Sequence, residues 1–166
     1  MNVSVPNRSV GLLLSGGLDS AILLGRLLDE GRPVQPIYIR GGLRWQREEL
    51  AHLRRFLAAL ASPRLAPLVE LEMPLADLYG RHWSVTGLRV PDATSPDEAV
   101  YLPGRNPLLL VKAALWCQMQ GIESLALAVL GSNPFSDATP EFFAAFERSL
   151  QLAAGKPIEL LRPLAG

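Results

Sequence analysis

Short apolar runs alternate with longer segments of helical period along this 166-residue chain. A parallel pair of strands needs a long crossover, usually a helix, so this alternation predicts βαβ units around a parallel sheet. We therefore predict a three-layer α/β domain, Rossmann-like, with about five parallel strands and helices on both faces. The predicted strands are 10–14, 34–39, 65–71, 125–130 and 158–161, and the predicted helices are 19–29, 45–61, 106–120 and 141–153.

Two details of this pattern are specific enough to test. The first helix is predicted to face inward through Ile22, Leu23, Leu27 and Leu28, which share one helical stripe. Residues 73–104 carry four prolines and are predicted to form a long loop with at most one short helix, at 75–79. A loop of this length in a compact domain usually covers a binding site or is disordered.

Composition favours one globular domain, residues 1–166. Apolar residues make up 49% of the chain, and 16 Lys and Arg balance 16 Asp and Glu. These values argue against a disordered chain and against a protein that binds nucleic acid mainly by charge. The single cysteine, Cys117, excludes an intrachain disulfide and a multi-cysteine zinc cluster within these residues.

The N-terminal residues 1–8 lack a charged start followed by an apolar run, as a secretory signal would have. No stretch of about 18 apolar residues is present in the sequence. We therefore expect a cytoplasmic protein that does not cross a membrane.

A serine- and glycine-rich motif, Ser-Gly-Gly-Leu-Asp-Ser at residues 15–20, lies between the first predicted strand and the first helix. Two consecutive glycines let the backbone turn tightly and approach a ligand. The amides at the start of the helix then favour an anion, and the serine hydroxyls add donors. Asp19 either locks the loop or helps to hold a metal ion. The motif predicts a phosphate or pyrophosphate site, and it is neither a Walker A loop nor a dinucleotide fingerprint.

Residues 15–20 resemble the pyrophosphate loop of the N-type ATP pyrophosphatases. Residues 101–106, Tyr-Leu-Pro-Gly-Arg-Asn, resemble the Val-Pro-Gly-Arg-Asn loop of 7-cyano-7-deazaguanine synthases, the QueC or ExsB family. Residues 131–142 share that family's strand-end glycine and its later Asp-x-x-Pro-Glu-Phe segment. Residues 37–42 match it more loosely. The four blocks occur in family order over nearly the whole chain.

The resemblance implies an ATP-dependent C–N ligase. In this family the carboxylate of 7-carboxy-7-deazaguanine is adenylated, aminated by ammonia, then activated again and dehydrated to a nitrile, a step toward queuosine. Implied partners are this small molecule, ammonia, ATP and Mg²⁺, with no strong nucleic-acid signal and a homodimer as an open option. Two alternatives remain: adenylation of another acceptor, such as a tRNA base, a peptide end or a sulfur-transfer substrate, or nucleotide binding without turnover.

The resemblance also implies site residues. Catalytic roles fall to Asp19, Arg105 and Asp137, although Asp137 and Glu141 are also explained as helix-capping acids. The implied ATP contacts are Leu14, Ser15, Gly16, Gly17, Leu18, Asp19, Ser20, Tyr38 and Arg105, and the implied substrate contacts are Asn106, Gly131, Asn133, Asp137 and Glu141.

Two departures from the family pattern stand out. Thr139 occupies the position where the family usually has an arginine, and the segment after Gly131 also differs. The family's cysteine-rich zinc site lies in a C-terminal segment that would begin near Gly166. We therefore expect either a fragment or a shortened relative with a different task, with no metal ligands in these residues.

Five other residues are interpreted one by one. Trp45 either stacks on a base or anchors its helix, and His82 either faces the substrate or is structural. Cys117 is expected to be buried in an apolar helix. Glu48 and Glu49 are expected to form a solvated helix face.

Overall fold

The computed structural model describes residues 9–166. The N-terminal residues on which the targeting expectation depends lie outside this range. Five parallel strands form one sheet in the order β3-β2-β1-β4-β5, which confirms the predicted fold class. The strands are β1 (Val10–Leu13), β2 (Val34–Arg40), β3 (Val69–Glu72), β4 (Ser124–Ala126) and β5 (Glu159–Leu161).

Helices cover both faces of the sheet. The first and second helices pack with Val10, Leu12 and Leu14 in one apolar cluster, whereas the fifth and sixth pack on the opposite face with Ile37 and Leu125 in another. Successive side chains of a strand point to opposite faces, and this alternation separates the two clusters. The helices are α1 (Leu18–Asp29), α2 (Gln46–Leu60), α3 (Ala76–Tyr79), α4 (Trp83–Thr86), α5 (Arg105–Met119) and α6 (Pro140–Ala154).

Several predicted boundaries need correction. The strand predicted at 65–71 pairs continuously only over Val69–Glu72, with one isolated bridge at Leu65. The strand predicted at 125–130 ends at Ala126. The predicted loop 73–104 contains the one expected short helix, α3. It also contains α4 and a 3-10 helix at Asp97–Val100, which were not predicted. Here local turn formation around glycines and prolines determines the structure, and these short helices have too few residues to show a period.

The predicted inward face of α1 is partly wrong. Leu23 and Leu27 are buried as predicted, but Ile22 is 51% exposed and Leu24 is fully buried. The buried stripe also includes Ser20 and is therefore rotated away from Ile22. Either stripe satisfies helical spacing, so the rotation of α1 against the sheet decides between them.

Gly11 lets α5 approach the central strand closely. A Cβ atom at Gly11 would lie 2.6 Å from Cys117 Sγ and 3.3 Å from Leu125 Cδ1. Cys117 is fully buried on α5, and burial raises the pKa of its thiol to about 12. The prediction of a packing role for Cys117 agrees with this position.

We expect Gly11→Ala to destabilise the domain by about 1–3 kcal/mol, because the added methyl overpacks the contact with Cys117. Cys117→Ala removes the sulfur from that contact and should relieve the clash in the double variant. Urea unfolding of the two single variants and the double variant measures the coupling. A loss in the double variant equal to the sum of the single losses would contradict this account.

Within the described residues, the structure has no helix long and apolar enough to span a membrane.

Candidate functional site

The loop at residues 15–20 connects β1 to α1 and turns through Gly16, whose φ is +82°. Ser15 and Ser20 are joined by a hydrogen bond between their hydroxyl oxygens, 3.2 Å apart. The Gly17 amide donates to Ser15 Oγ at 3.3 Å, and Ser20 Oγ donates to the Gly17 carbonyl at 2.9 Å. No side chain caps α1. The loop is thus held by its own hydroxyls, and the positive end of α1 is left open to an anion.

A cavity of about 230 Å³ opens beside this loop. It lies at the carboxyl ends of β1, β2 and β4, where the strand order changes direction, which is the usual ligand position in open α/β sheets. Its walls combine apolar side chains with a few polar groups. The polar and charged side chains of the lining are Ser15, Asp19, Ser20, Tyr38, Gln46, Glu49, Arg105 and Asn106.

Tyr38 and Glu49 form a polar pair in the cavity wall. The Tyr38 hydroxyl donates to Glu49 Oε2 at 3.0 Å. Burial and the neighbouring Glu49 carboxylate raise the pKa of Tyr38 above its usual range. Glu49 was expected on a solvated face; it is exposed, but it lines the cavity. The carbonyl of Glu49 would lie 3.5 Å from a Cβ at Gly16, so α2 also supports the glycine loop.

Arg105 begins α5 and brings a positive charge to the opposite wall. Its side chain is exposed, and no ion pair to it is seen among the side chains that the structure describes, which exclude that of Asp97. Burial raises the pKa of Tyr38 and of Tyr79, and the charge of Arg105 opposes both increases. The positive charge of Arg105 therefore lies near two hydroxyl groups, that of Tyr38 in β2 and that of Tyr79 in α3. An unpaired guanidinium facing a cavity suits a phosphate or a carboxylate.

The four predicted substrate residues beyond Asn106 occupy a neighbouring segment and do not line the cavity. Asp137 is buried and contacts Asn106. Asn133 Oδ1 accepts from the Phe135 amide at 3.0 Å. A Cβ at Gly131 would lie 2.5 Å from the Ala165 carbonyl oxygen, and Glu141 is exposed in the first turn of α6. Asn133 thus has a contact within its own segment, whereas Asp137 and Gly131 meet residues far away in the sequence.

Aromatic residues of segment 73–104 pack near the start of α2. The Trp45 and Trp83 ring centroids are 5.5 Å apart, and Trp83 Nε1 donates to the Ala99 carbonyl at 2.8 Å. His82 accepts from the Ser84 amide at 3.2 Å and caps α4. These contacts supply structural roles for both Trp45 and His82.

Sequence reasoning missed two polar groups of the cavity. Glu49 and Gln46 both lie in the first turns of α2, and Gln46 Oε1 accepts from the Gly42 amide at 2.7 Å. The signal was the proximity of an acidic helix start to a Gly-Gly turn at the end of β2. No group of three or more His, Cys, Asp or Glu side chains that could hold a metal ion occurs in the part of the chain that the structure describes.

Comparison with known proteins places this geometry in a family context. The family model for the queuosine biosynthesis protein QueC matches residues 9–166. The 7-cyano-7-deazaguanine synthase 1 of Desulfitobacterium hafniense (strain Y51) is 31% identical over 160 residues, which cover 95% of this chain and 70% of the relative. The 7-cyano-7-deazaguanine synthase of Stutzerimonas stutzeri (strain A1501) is 33% identical over 154 residues, which cover 89% and 66%.

Two solved structures share the fold. A predicted subunit of tRNA methyltransferase from Methanocaldococcus jannaschii aligns with a TM-score of 0.57 and 15% identity, over 96% of this chain and 69% of that one. A 4-thiouridine synthetase, in complex with RNA and with bound ATP, aligns with a TM-score of 0.53 and 21% identity, over 95% and 36%. At these identities the likeness shows the architecture alone.

Proposed function

Because this chain belongs to the family of the queuosine biosynthesis protein QueC, we propose that it is an ATP-dependent ligase that converts 7-carboxy-7-deazaguanine and ammonia to 7-cyano-7-deazaguanine. The observation that carries the proposal is the juxtaposition of the open loop at residues 15–20 and Arg105 on one cavity. The curated relatives bear the name of this synthase. The chain spans 70% of the Desulfitobacterium hafniense relative and 66% of the Stutzerimonas stutzeri relative. We place the reaction in the cytoplasm.

The donors around the cavity support the proposed binding of ATP. The open end of α1 and the two serine hydroxyls would hold the β- and γ-phosphates. Arg105 would supply a planar set of donors to phosphate oxygens. Tyr38 and the apolar side chains at the end of β2 would line the adenine, because this wall combines low polarity with a hydrogen-bonded rim. The ATP contacts in this proposal are Leu14, Ser15, Gly16, Gly17, Leu18, Asp19, Ser20, Tyr38 and Arg105.

The chemistry needs positioning and charge stabilisation rather than an enzyme nucleophile. A carboxylate oxygen of the substrate attacks the α-phosphorus, and pyrophosphate leaves. Ammonia then attacks the acyl carbon, AMP leaves with the original oxygen, and an amide forms after loss of a proton. The amide oxygen attacks a second ATP in the same way. Loss of AMP and of the two amide protons yields the nitrile.

The donor set fits magnesium but not zinc. Mg²⁺ is commonly bound through one or two carboxylates together with substrate phosphates, and the exposed Asp19 carboxylate lies beside the proposed phosphate site. Asp19 would hold Mg²⁺ against the phosphates, where the ion supplies charge neutralisation. The chain contains one cysteine, so its residues do not fit a cysteine-rich zinc site. The proposed reaction uses no zinc ion.

The substrate would lie toward the start of α5, beside the segment after β4. Asn106 lines the cavity and is the best-placed of the proposed substrate contacts. Gly131, Asn133 and Glu141 do not line the cavity, so the proposed ATP site does not depend on them. Ammonia is the proposed nitrogen donor.

The test measures ATP–pyrophosphate exchange and AMP release by the purified protein. We expect the exchange to depend on 7-carboxy-7-deazaguanine alone, and AMP release to depend on both this acid and ammonia, because AMP leaves only when ammonia attacks the acyl carbon. A folded protein that binds ATP but produces no AMP from this acid would overturn the synthase assignment. AMP release with a different acceptor would then support the alternative ligase, and ATP binding without any turnover would support a nucleotide-binding module.

A further inference from the structure

The start of α5 is built from residues that cannot cap it. Gly104, at the N-cap, has no side chain, and its φ of +70° suits a glycine. Pro107, at the third helical position, has no amide hydrogen to satisfy. The Arg105 amide donates to the Leu102 carbonyl at 3.1 Å. Among the first three helical positions, only the Asn106 amide still needs a partner from outside the helix.

Asp137 supplies that partner from 31 residues further along the chain. Its Oδ2 accepts from the Asn106 amide at 3.2 Å, and its Oδ1 accepts from Asn106 Nδ2 at 3.3 Å. The same Nδ2 donates to the Asp137 backbone carbonyl at 3.0 Å. A carboxylate at this position is also favoured by the dipole of α5. Asp137 therefore seals one helix N-terminus, whereas α1 remains open.

Asp137 is only 8% exposed and does not line the cavity, but both residues that it sets in place do. Arg105 directly precedes the residue that Asp137 holds. Both charges also reach the Tyr79 hydroxyl: Asp137 raises the pKa of Tyr79 and Arg105 lowers it, in addition to burial. Asp137 and Arg105 therefore lie close enough to the same phenol to act on it with opposite sign.

We propose that Asp137 is a positioning residue, which seals the N-terminus of α5 and thereby fixes Arg105 at the cavity wall. The inference rests on the proposed nucleotide site and replaces the catalytic role that the family resemblance implies for Asp137. The Arg105 and Asn106 amides are occupied and Pro107 has none, so the first helical residues would act on a ligand through the Arg105 and Asn106 side chains.

The test is a double-mutant cycle read by the affinity for ATP with Mg²⁺, measured by calorimetry without turnover. We expect Arg105→Ala to weaken binding about tenfold, as for loss of a charge-assisted contact. Asp137→Asn, which keeps one acceptor but loses the charge, should weaken it about three- to tenfold. The double variant should bind within about twofold of Arg105→Ala, since Asp137 acts through that residue.

Thr139→Ala is the matched control for stability. Thr139 Oγ1 accepts from the Phe142 amide at 3.1 Å and caps α6, two residues from Asp137. Its loss should lower the Tm without changing ATP affinity. Two results would overturn the proposal: losses that multiply in the double variant, or an Asp137→Asn protein whose Tm falls while its ATP affinity stays normal.

Hydrogen exchange separates this proposal from the proposed function. Asp137→Asn should speed amide exchange at Arg105, Asn106 and Leu108 at least tenfold, whereas Thr139→Ala should not. If the wild-type protein fails to bind ATP, the proposed function falls, and hydrogen exchange alone decides the anchoring role of Asp137. Unchanged exchange in the Asp137→Asn protein would then overturn it.

Discussion

The Arg105→Ala protein is expected to form AMP about 10²–10³ times more slowly than the wild type, because it loses a preorganised charged donor where phosphate charge develops. Arg105 is exposed at the cavity and has no ion-pair partner within the described residues. Its guanidinium is therefore free to contact a ligand without first breaking an internal bond. Single-turnover measurements of AMP release from ATP, 7-carboxy-7-deazaguanine and ammonia give the rate.

Two further variants separate charge from geometry. Arg105→Lys keeps the charge but loses the planar arrangement of donors, and it should recover only part of the rate. Arg148→Ala removes an exposed arginine from α6, outside the cavity, and should leave the rate within about twofold, as expected of an exposed position. A rate for Arg105→Ala as high as that for Arg148→Ala would exclude a role for this guanidinium.

The sequence was sufficient to predict the architecture because the strands are apolar and the crossovers are helical. It did not determine how each helix rotates against the sheet. Ile22 and Leu24 are both apolar, and a stripe containing either agrees with helical spacing. The structure buries Leu24 and exposes Ile22. Contacts with the sheet and with α2 make this choice, and they are not visible in a single helical pattern.

The candidate site also has a part that the sequence predicts and a part that it does not. The loop at residues 15–20 was predictable because its chemistry is local: glycines for the turn, hydroxyls for donors, and a helix start for charge. Glu49 was missed because it follows another acid, Glu48, on a charged helix. Which of two adjacent side chains faces the cavity depends on the position of α2, and only Glu49 contacts Tyr38.

Long-range contacts were the least predictable part of the site. Nothing near Asp137 in the sequence indicates that its carboxylate reaches Asn106. Capping was one of the two interpretations considered for Asp137, but the expected helix was the adjacent α6. In the structure Thr139 caps α6, and Asp137 satisfies α5 instead. The local sequence can indicate that a residue caps a helix. Which helix it caps is known only from the fold.

Phe143 provides the largest expected effect on stability. It lies on α6, is only 2% exposed, and belongs to the apolar cluster on the α5 and α6 face of the sheet. The Phe142 ring packs edge-on against it, with centroids 5.2 Å apart, and the Arg162 guanidinium carbon lies 4.6 Å from its ring centroid. The ring therefore ties α6 both to the core and to the segment after β5.

Phe143→Ala should destabilise the domain by about 3–5 kcal/mol, because it removes buried apolar surface and leaves a cavity that the sheet cannot close. For a domain of this size the Tm should fall by roughly 6–20 °C. Thermal and urea unfolding measure both values, and Phe142→Ala, at a partly buried ring, should cost less. A loss no larger than that of Phe142→Ala would contradict the packing argument.

Phe143 does not line the cavity, so the folded fraction of the Phe143→Ala protein should bind ATP with wild-type affinity. That result would separate the stability of the α6 face from the function of the loop and Arg105.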